Sequence, residues 1–166
     1  MNKKILTPGI IIIMLMGCNN SDTDTKDTIT TTGTMKTVAA SPFEQHINGK
    51  ATKLYNLQNK NMKAAITNYG GRLISLWVPD KNGNMTDVVE GFDSLQQYIN
   101  STEPYFGATI GRYGNRIAKG KFKIDGIEHT SSINNPPNML HGGKNGFQSQ
   151  VFDAKQIGDT ALELTY

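Results

Sequence analysis

The sequence predicts an all-β fold. Three features point there. Short apolar runs are bounded by turn residues, 17 glycines and 6 prolines supply those turns, and no helical period lasts long enough to pack a helix. The 166 residues make room for one ordinary domain, or one domain with a tail. Hydrophobic residues are 37% and charged residues 19%, a soluble composition that excludes collagen-like, coiled-coil and multi-span membrane chains.

The folded part is expected to occupy residues 41–166. Residues 54–57 and 63–67 have strand character, and Asn59-Lys60-Asn61 between them suits a turn, so they form a hairpin. Residues 72–78, RLISLWV, are apolar on both faces and predict a strand inside a sandwich, with Trp77 in the core. Pro79-Asp80-Lys81-Asn82-Gly83 ends it, because proline presets φ and glycine accepts a positive φ. Asp87-Val88-Val89 is a further short strand, and residues 93–98 make one helical turn capped by Asp93. Residues 121–124 and 127–130 flank Asp125-Gly126, a strong two-residue hairpin signal. Residues 151–157 and 161–166 flank Gly158-Asp159-Thr160 in the same way, and the second of these runs keeps a strand pattern to Tyr166.

The first forty residues have a different character. Met-Asn-Lys-Lys is followed by an almost wholly apolar run over residues 5–17, the layout of a signal peptide. The run is shorter than the roughly 20 residues that a spanning helix needs. The single cysteine, Cys18, directly follows Leu15-Met16-Gly17, which resembles the lipobox of bacterial lipoproteins. That resemblance implies a signal over residues 1–17, cleavage before Cys18, and lipid on its thiol. Acyl chains contribute about 0.8 kcal/mol per buried methylene, so two or more would hold the chain at a membrane. The implied location is the bacterial cell envelope, facing the periplasm or the cell surface. Residues 18–40 are rich in Thr and Asp and lack aromatic residues, the composition of a disordered tether.

Net charge is +3, and no Lys/Arg cluster is dense enough to follow a phosphate backbone, which argues against nucleic acid as a partner. One cysteine excludes an internal disulfide framework and a Cys-based zinc site. The histidines, His46, His129 and His141, are too widely spaced to read as a metal site. His46 and His129 are assigned to structure, and Asp80, Asp87 and Asp93 to turns and caps.

Two stretches carry chemistry. In residues 105–121 the glycines Gly107, Gly111, Gly114 and Gly120 are mixed with Arg112, Asn115 and Arg116. No Gly-Lys-Ser/Thr follows and no strand-to-helix pattern surrounds them, so neither a P-loop nor a dinucleotide fingerprint is present. Glycines let backbone approach a ligand, and Arg and Asn supply planar donors suited to hydroxyl-rich molecules. In the second stretch, Asn134-Asn135-Pro136-Pro137-Asn138-Met139-Leu140-His141-Gly142-Gly143, an imidazole stands on a turn beside two glycines.

Together these segments resemble the aldose 1-epimerase (galactose mutarotase) family. The matching text is Asn68-Tyr69-Gly70-Gly71, Ile74 through Asp80, Asp87 through Asp93, Tyr98, Tyr105 through Arg112, Asn115-Arg116-Ile117, Ile133-Asn134-Asn135, Leu140-His141-Gly142-Gly143 and Gly146-Phe147. The resemblance implies a β-supersandwich of which residues 41–166 are the N-terminal part. It implies an isomerase of carbohydrate metabolism that interconverts the α and β anomers of aldohexoses such as galactose and glucose. In that chemistry an acid protonates the ring oxygen and a base takes the anomeric proton, each transfer worth roughly 10²–10⁴ in rate. Asn115 and Arg116 match the family's hydroxyl-holding pair, and His141 matches the first of two histidines in the sugar site, contacting substrate near the ring oxygen.

The family's general-acid histidine, its substrate-binding aspartate and its general-base glutamate have no counterpart in residues 1–166. The expectation is therefore a fragment with little or no mutarotase activity by itself. The alternative is a non-catalytic carbohydrate-binding lipoprotein. Arg112 either supports its loop or touches sugar. No cofactor is implied, calcium enters only by family analogy, and a monomer is expected.

Overall fold

The computed structural model describes residues 10–14 and 38–166. The chain starts with β1 (Ile10–Met14) and a 3-10 turn at Ser41–Phe43, then β2 (His46–Ile47) and β3 (Lys50–Ala51). Four strands follow: β4 (Leu54–Gln58), β5 (Lys63–Thr67), β6 (Arg72–Pro79) and β7 (Met85–Asp87). They form one antiparallel sheet in sequence order. The short helix α1 (Leu95–Asn100) comes next. Then come β8 (Arg116–Ile117), β9 (Lys121–Ile124), β10 (Ile127–Thr130) and β11 (Met139–Leu140), with β12 (Asp153–Ile157) and β13 (Ala161–Thr165) closing the chain.

The four-stranded sheet buries both faces because side chains alternate along each strand. On one face Ala65, Ile74 and Trp77 pack with Phe43, Tyr69, Val151 and the α1 residues Leu95 and Tyr98. On the other, Leu57 and Ile66 pack with Phe152, Leu162 and Leu164 of the β12–β13 layer. This second layer makes the sandwich, and Asn68 stitches it to the first. The Asn68 Nδ2 donates to the carbonyls of Ala51 at 3.1 Å and Phe152 at 3.0 Å, while its Oδ1 accepts from the Lys53 N–H at 2.8 Å. Phe152 is 1% exposed and meets Phe147 edge-on, with ring centroids 5.4 Å apart. Phe152→Ala should therefore cost about 3–5 kcal/mol in a urea melt. A loss under about 1 kcal/mol would show that the two layers do not meet there.

The expected hairpins form. Asp125 and Gly126 both take positive φ, 52° and 81°, as the tight turn between β9 and β10 requires. Asp80 accepts the backbone N–H groups of Asn84 and Asn82, and these bonds hold its carboxyl below the usual range. Two local expectations change. The strand expected at Asp87-Val88-Val89 ends at Asp87, whose carboxylate instead accepts the N–H of Leu76 and of Val89. The N-cap of α1 is Ser94, not Asp93. The Ser94 hydroxyl accepts the Gln97 N–H, and the Gln97 side chain reaches back to the Asp93 N–H, so the serine box displaces the neighbouring carboxylate.

Cys18 and most of the expected signal and tether lie outside the described residues. Within that stretch Ile10–Met14 lies antiparallel on β13, with Ile13 opposite Leu162. The pairing has a physical reason: the outer edge of β13 offers unpaired backbone groups, and an extended apolar segment satisfies them. Val38 packs beside the first core cluster, so the folded part takes in the last residues of the expected tether. No described helix is long and apolar enough to cross a membrane.

Candidate functional site

The site is built where β8 meets β11. Arg116 lies opposite Leu140 and Ile117 opposite Met139, so Asn115 and His141 face each other just beyond the ladder. They lock reciprocally. The His141 N–H donates to the Asn115 carbonyl at 3.0 Å, and the Asn115 N–H donates to His141 Nδ1 at 3.0 Å. Both residues take positive φ, 57° at Asn115 and 49° at His141. Such backbone is strained for a residue with a side chain, and here the paired hydrogen bonds hold it.

The lock fixes the histidine's chemistry. With Nδ1 accepting a backbone N–H, the proton of the neutral ring sits on Nε2. His141 therefore offers a ligand a hydrogen-bond donor. Arg116 is held as firmly for an exposed side chain: its Nε donates to Asn135 Oδ1 and its Nη1 to Asn115 Oδ1, both at 3.0 Å. The remaining guanidinium N–H groups and the Asn115 amide hydrogens have no described partner.

Two residues that the sequence did not single out as site residues build the opposite wall. Asn134 Nδ2 donates to the Tyr105 hydroxyl at 3.1 Å and to the Leu140 carbonyl at 3.0 Å, while its Oδ1 accepts the Leu140 N–H at 2.7 Å. The Tyr105 ring sits 5.0 Å from the His141 ring. Asn115, Arg116, His141, Tyr105 and Asn134 thus line one open cleft of about 530 Å³. That lies within the range of small-molecule sites, roughly 300–1,000 Å³. Glu103 is the one carboxylate lining it among the described residues, and it supplies an acceptor that the donors lack.

The structure brings Asn115, Arg116 and His141 together and sets other candidates apart. Arg112 does not line the cleft; it lies in a neighbouring hollow, of which Arg116 and His141 form the shared wall. His129 stacks on Phe122 in the β9–β10 hairpin, at 5.5 Å and 18° between planes. His46 is in β2, and Trp77 is 7% exposed in the core. Among the described residues, no group of three or more His, Cys, Asp or Glu is placed to hold a metal ion.

A protein of this kind is an all-β sandwich carrying a donor-rich cleft at one sheet end. The family model described as aldose 1-epimerase matches residues 53–166, and the chain belongs to that family. The galactose mutarotase of Bos taurus is 42% identical over 105 residues, 63% of this chain and 30% of that protein. The galactose mutarotase of Homo sapiens is 40% identical over 111 residues, 67% and 32% of the two chains. The crystal structure of an aldose epimerase homologue from C. elegans superimposes with a TM-score of 0.61 at 33% identity, over 66% of this chain and 34% of that one. Galactose 1-epimerase from Lactobacillus acidophilus shares the fold, with a TM-score of 0.59 at 24% identity, over 74% and 36%. The chain therefore spans about a third of the length of these relatives.

Proposed function

We propose that this chain supplies the sugar-holding part of an aldose 1-epimerase, an isomerase that interconverts the α and β anomers of aldohexoses such as galactose and glucose. The observation that carries the reading is the joining of Asn115, Arg116 and His141 in one cleft by side-chain and backbone bonds of 3.0 Å. Arg116 and Asn115 present planar donors to sugar hydroxyls. His141 presents Nε2–H, suited to a ring or hydroxyl oxygen. A donor on the ring oxygen eases C1–O cleavage, because charge grows on that oxygen as the ring opens. The guanidinium stays protonated, and His141 Nδ1 is already engaged. Proton transfer to and from the sugar is therefore assigned to groups other than these three.

Saturation-transfer NMR with galactose and glucose tests the reading. Both anomers of each sugar should show saturation that a non-hydroxylated ring analogue does not compete away. Binding of neither anomer would overturn it.

The chain is further proposed to be lipid-anchored through Cys18 in the bacterial envelope. Lys3, Lys4, the apolar run and Gly17-Cys18 support this. Expressed in a bacterium, the protein should partition with membranes and carry acyl mass on Cys18, and Cys18→Ser should release it to the soluble fraction. An unmodified Cys18 on a membrane-free protein would contradict the anchor.

A further inference from the structure

Arg72 is the largest fully buried side chain among the described residues, at 1% exposure, and it makes no ion pair with a described carboxylate. Its guanidinium is held by carbonyls. Nη1 donates to Pro104 O at 3.1 Å and to Phe106 O at 2.6 Å, while Nη2 donates to Pro104 O at 3.1 Å and to Gln148 O at 2.9 Å. Its carbon centre lies 4.5 Å from the centroid of the Tyr98 ring. Pro104 and Phe106 are the residues on either side of Tyr105. The fork therefore grips the backbone on both flanks of the ring that stands 5.0 Å from His141.

Burying a guanidinium without a carboxylate is costly, and an apolar side chain of similar length would pack the same space more cheaply. Stability alone is a weak reason for this arginine. Three further ties pin the same loop at or just before the start of β6: the Leu73 N–H donates to Gly107 O at 2.9 Å, the Thr109 N–H to Gly70 O at 2.9 Å, and the Thr109 hydroxyl to Gly71 O at 2.7 Å. None of these ties touches a residue adjacent to Tyr105. Phe106 also meets the Phe92 ring, with centroids 5.8 Å apart, but among the loop's hydrogen bonds to this end of β6 only those of Arg72 reach both neighbours of Tyr105.

We propose that Arg72 is a positioning residue for the aldose cleft: by clamping the carbonyls on both sides of Tyr105 it fixes that ring against His141, and so sets where His141 Nε2–H points. The proposal rests on the aldose-site reading above for its effect on sugar, but its effect on His141 needs no sugar. Lysine is not a substitute, since a single ammonium lacks the planar fork that spans Pro104, Phe106 and Gln148.

The test compares Arg72→Lys with Thr109→Val, which loosens the same loop away from Tyr105. In sugar-free protein, Arg72→Lys should move the His141 ring ¹H and ¹⁵N signals, and aldose affinity should fall roughly tenfold. Thr109→Val should lower the melting temperature yet leave the His141 signals in place. Equal movement of His141 in both variants, or none in Arg72→Lys, overturns the proposal. Should Arg72→Lys fail to fold, hydrogen exchange on the unaltered protein decides. The amides of residues 105–107 must then open in the same step that frees the Arg72 guanidinium protons and shifts His141. Separate steps contradict it. If the unaltered protein binds no aldose, the functional reading fails, while the His141 signals still judge this one.

Discussion

Arg116→Met is expected to weaken aldose binding by about 10- to 100-fold while leaving stability nearly unchanged. Hydrogen bonds to a charged group contribute roughly 1.5–3 kcal/mol, and each 1.4 kcal/mol is tenfold in affinity. Arg116 is exposed and forms no part of either core cluster, so its removal opens no cavity. What is lost is the fork that Asn115 and Asn135 aim at the cleft. Arg116→Lys is expected to lose most of the same affinity, because an ammonium retains the charge but cannot hold both amide oxygens and a sugar hydroxyl in one plane. Isothermal titration with galactose, paired with a thermal melt, separates the two quantities. Unchanged affinity in Arg116→Met would remove this residue from the site.

Gly107→Ala should destabilise the fold by at least about 3 kcal/mol, combining a left-handed penalty of 1–2 kcal/mol with the loss of displaced hydrogen bonds. Gly107 takes a φ of +64°, and a Cβ placed there would collide with the Leu73 carbonyl oxygen. The neighbour is backbone in β6 and cannot step aside. The loop would have to lift, breaking the Leu73 N–H to Gly107 O bond and carrying Tyr105 away from His141. Gly126→Ala is the matched control: its φ is +81°, but a Cβ there meets nothing within 4 Å. It should cost only the left-handed strain, about 1–2 kcal/mol. Equal losses in the two variants, read from urea midpoints, would mean that the clash at Gly107 is absent.

Local chemistry made much of this fold legible. The Asp125-Gly126 turn and the paired runs around Asn59-Lys60-Asn61 and Gly158-Asp159-Thr160 depend on residues adjacent in sequence, and their hairpins appear where expected. The pairing of Asn115-Arg116 with His141 came from motif resemblance; spacing alone could not bring together residues 26 positions apart. What stayed hidden depends on distant partners. Arg72 reads as the polar start of an apolar strand, and only contacts 32, 34 and 76 residues away reveal it as a buried clamp. Asn134 gave one signal, an amide ahead of a Pro-Pro turn, but its bond to Tyr105 spans 29 residues. The exchange of Asp93 for Ser94 as the helix cap is the opposite case: two adequate caps stood side by side, and the one that also engaged Gln97 prevailed.

Asn115, Arg116 and His141 are proposed to act together as one sugar-holding cleft. Titrating isotopically labelled protein with galactose, and following side-chain signals by NMR, tests it most directly. The Asn115 amide, the Arg116 guanidinium and the His141 Nε2–H signals should move together and saturate at one sugar concentration, while the His129 signal stays fixed. Movement confined to other residues, or three signals that saturate at different concentrations, would contradict it.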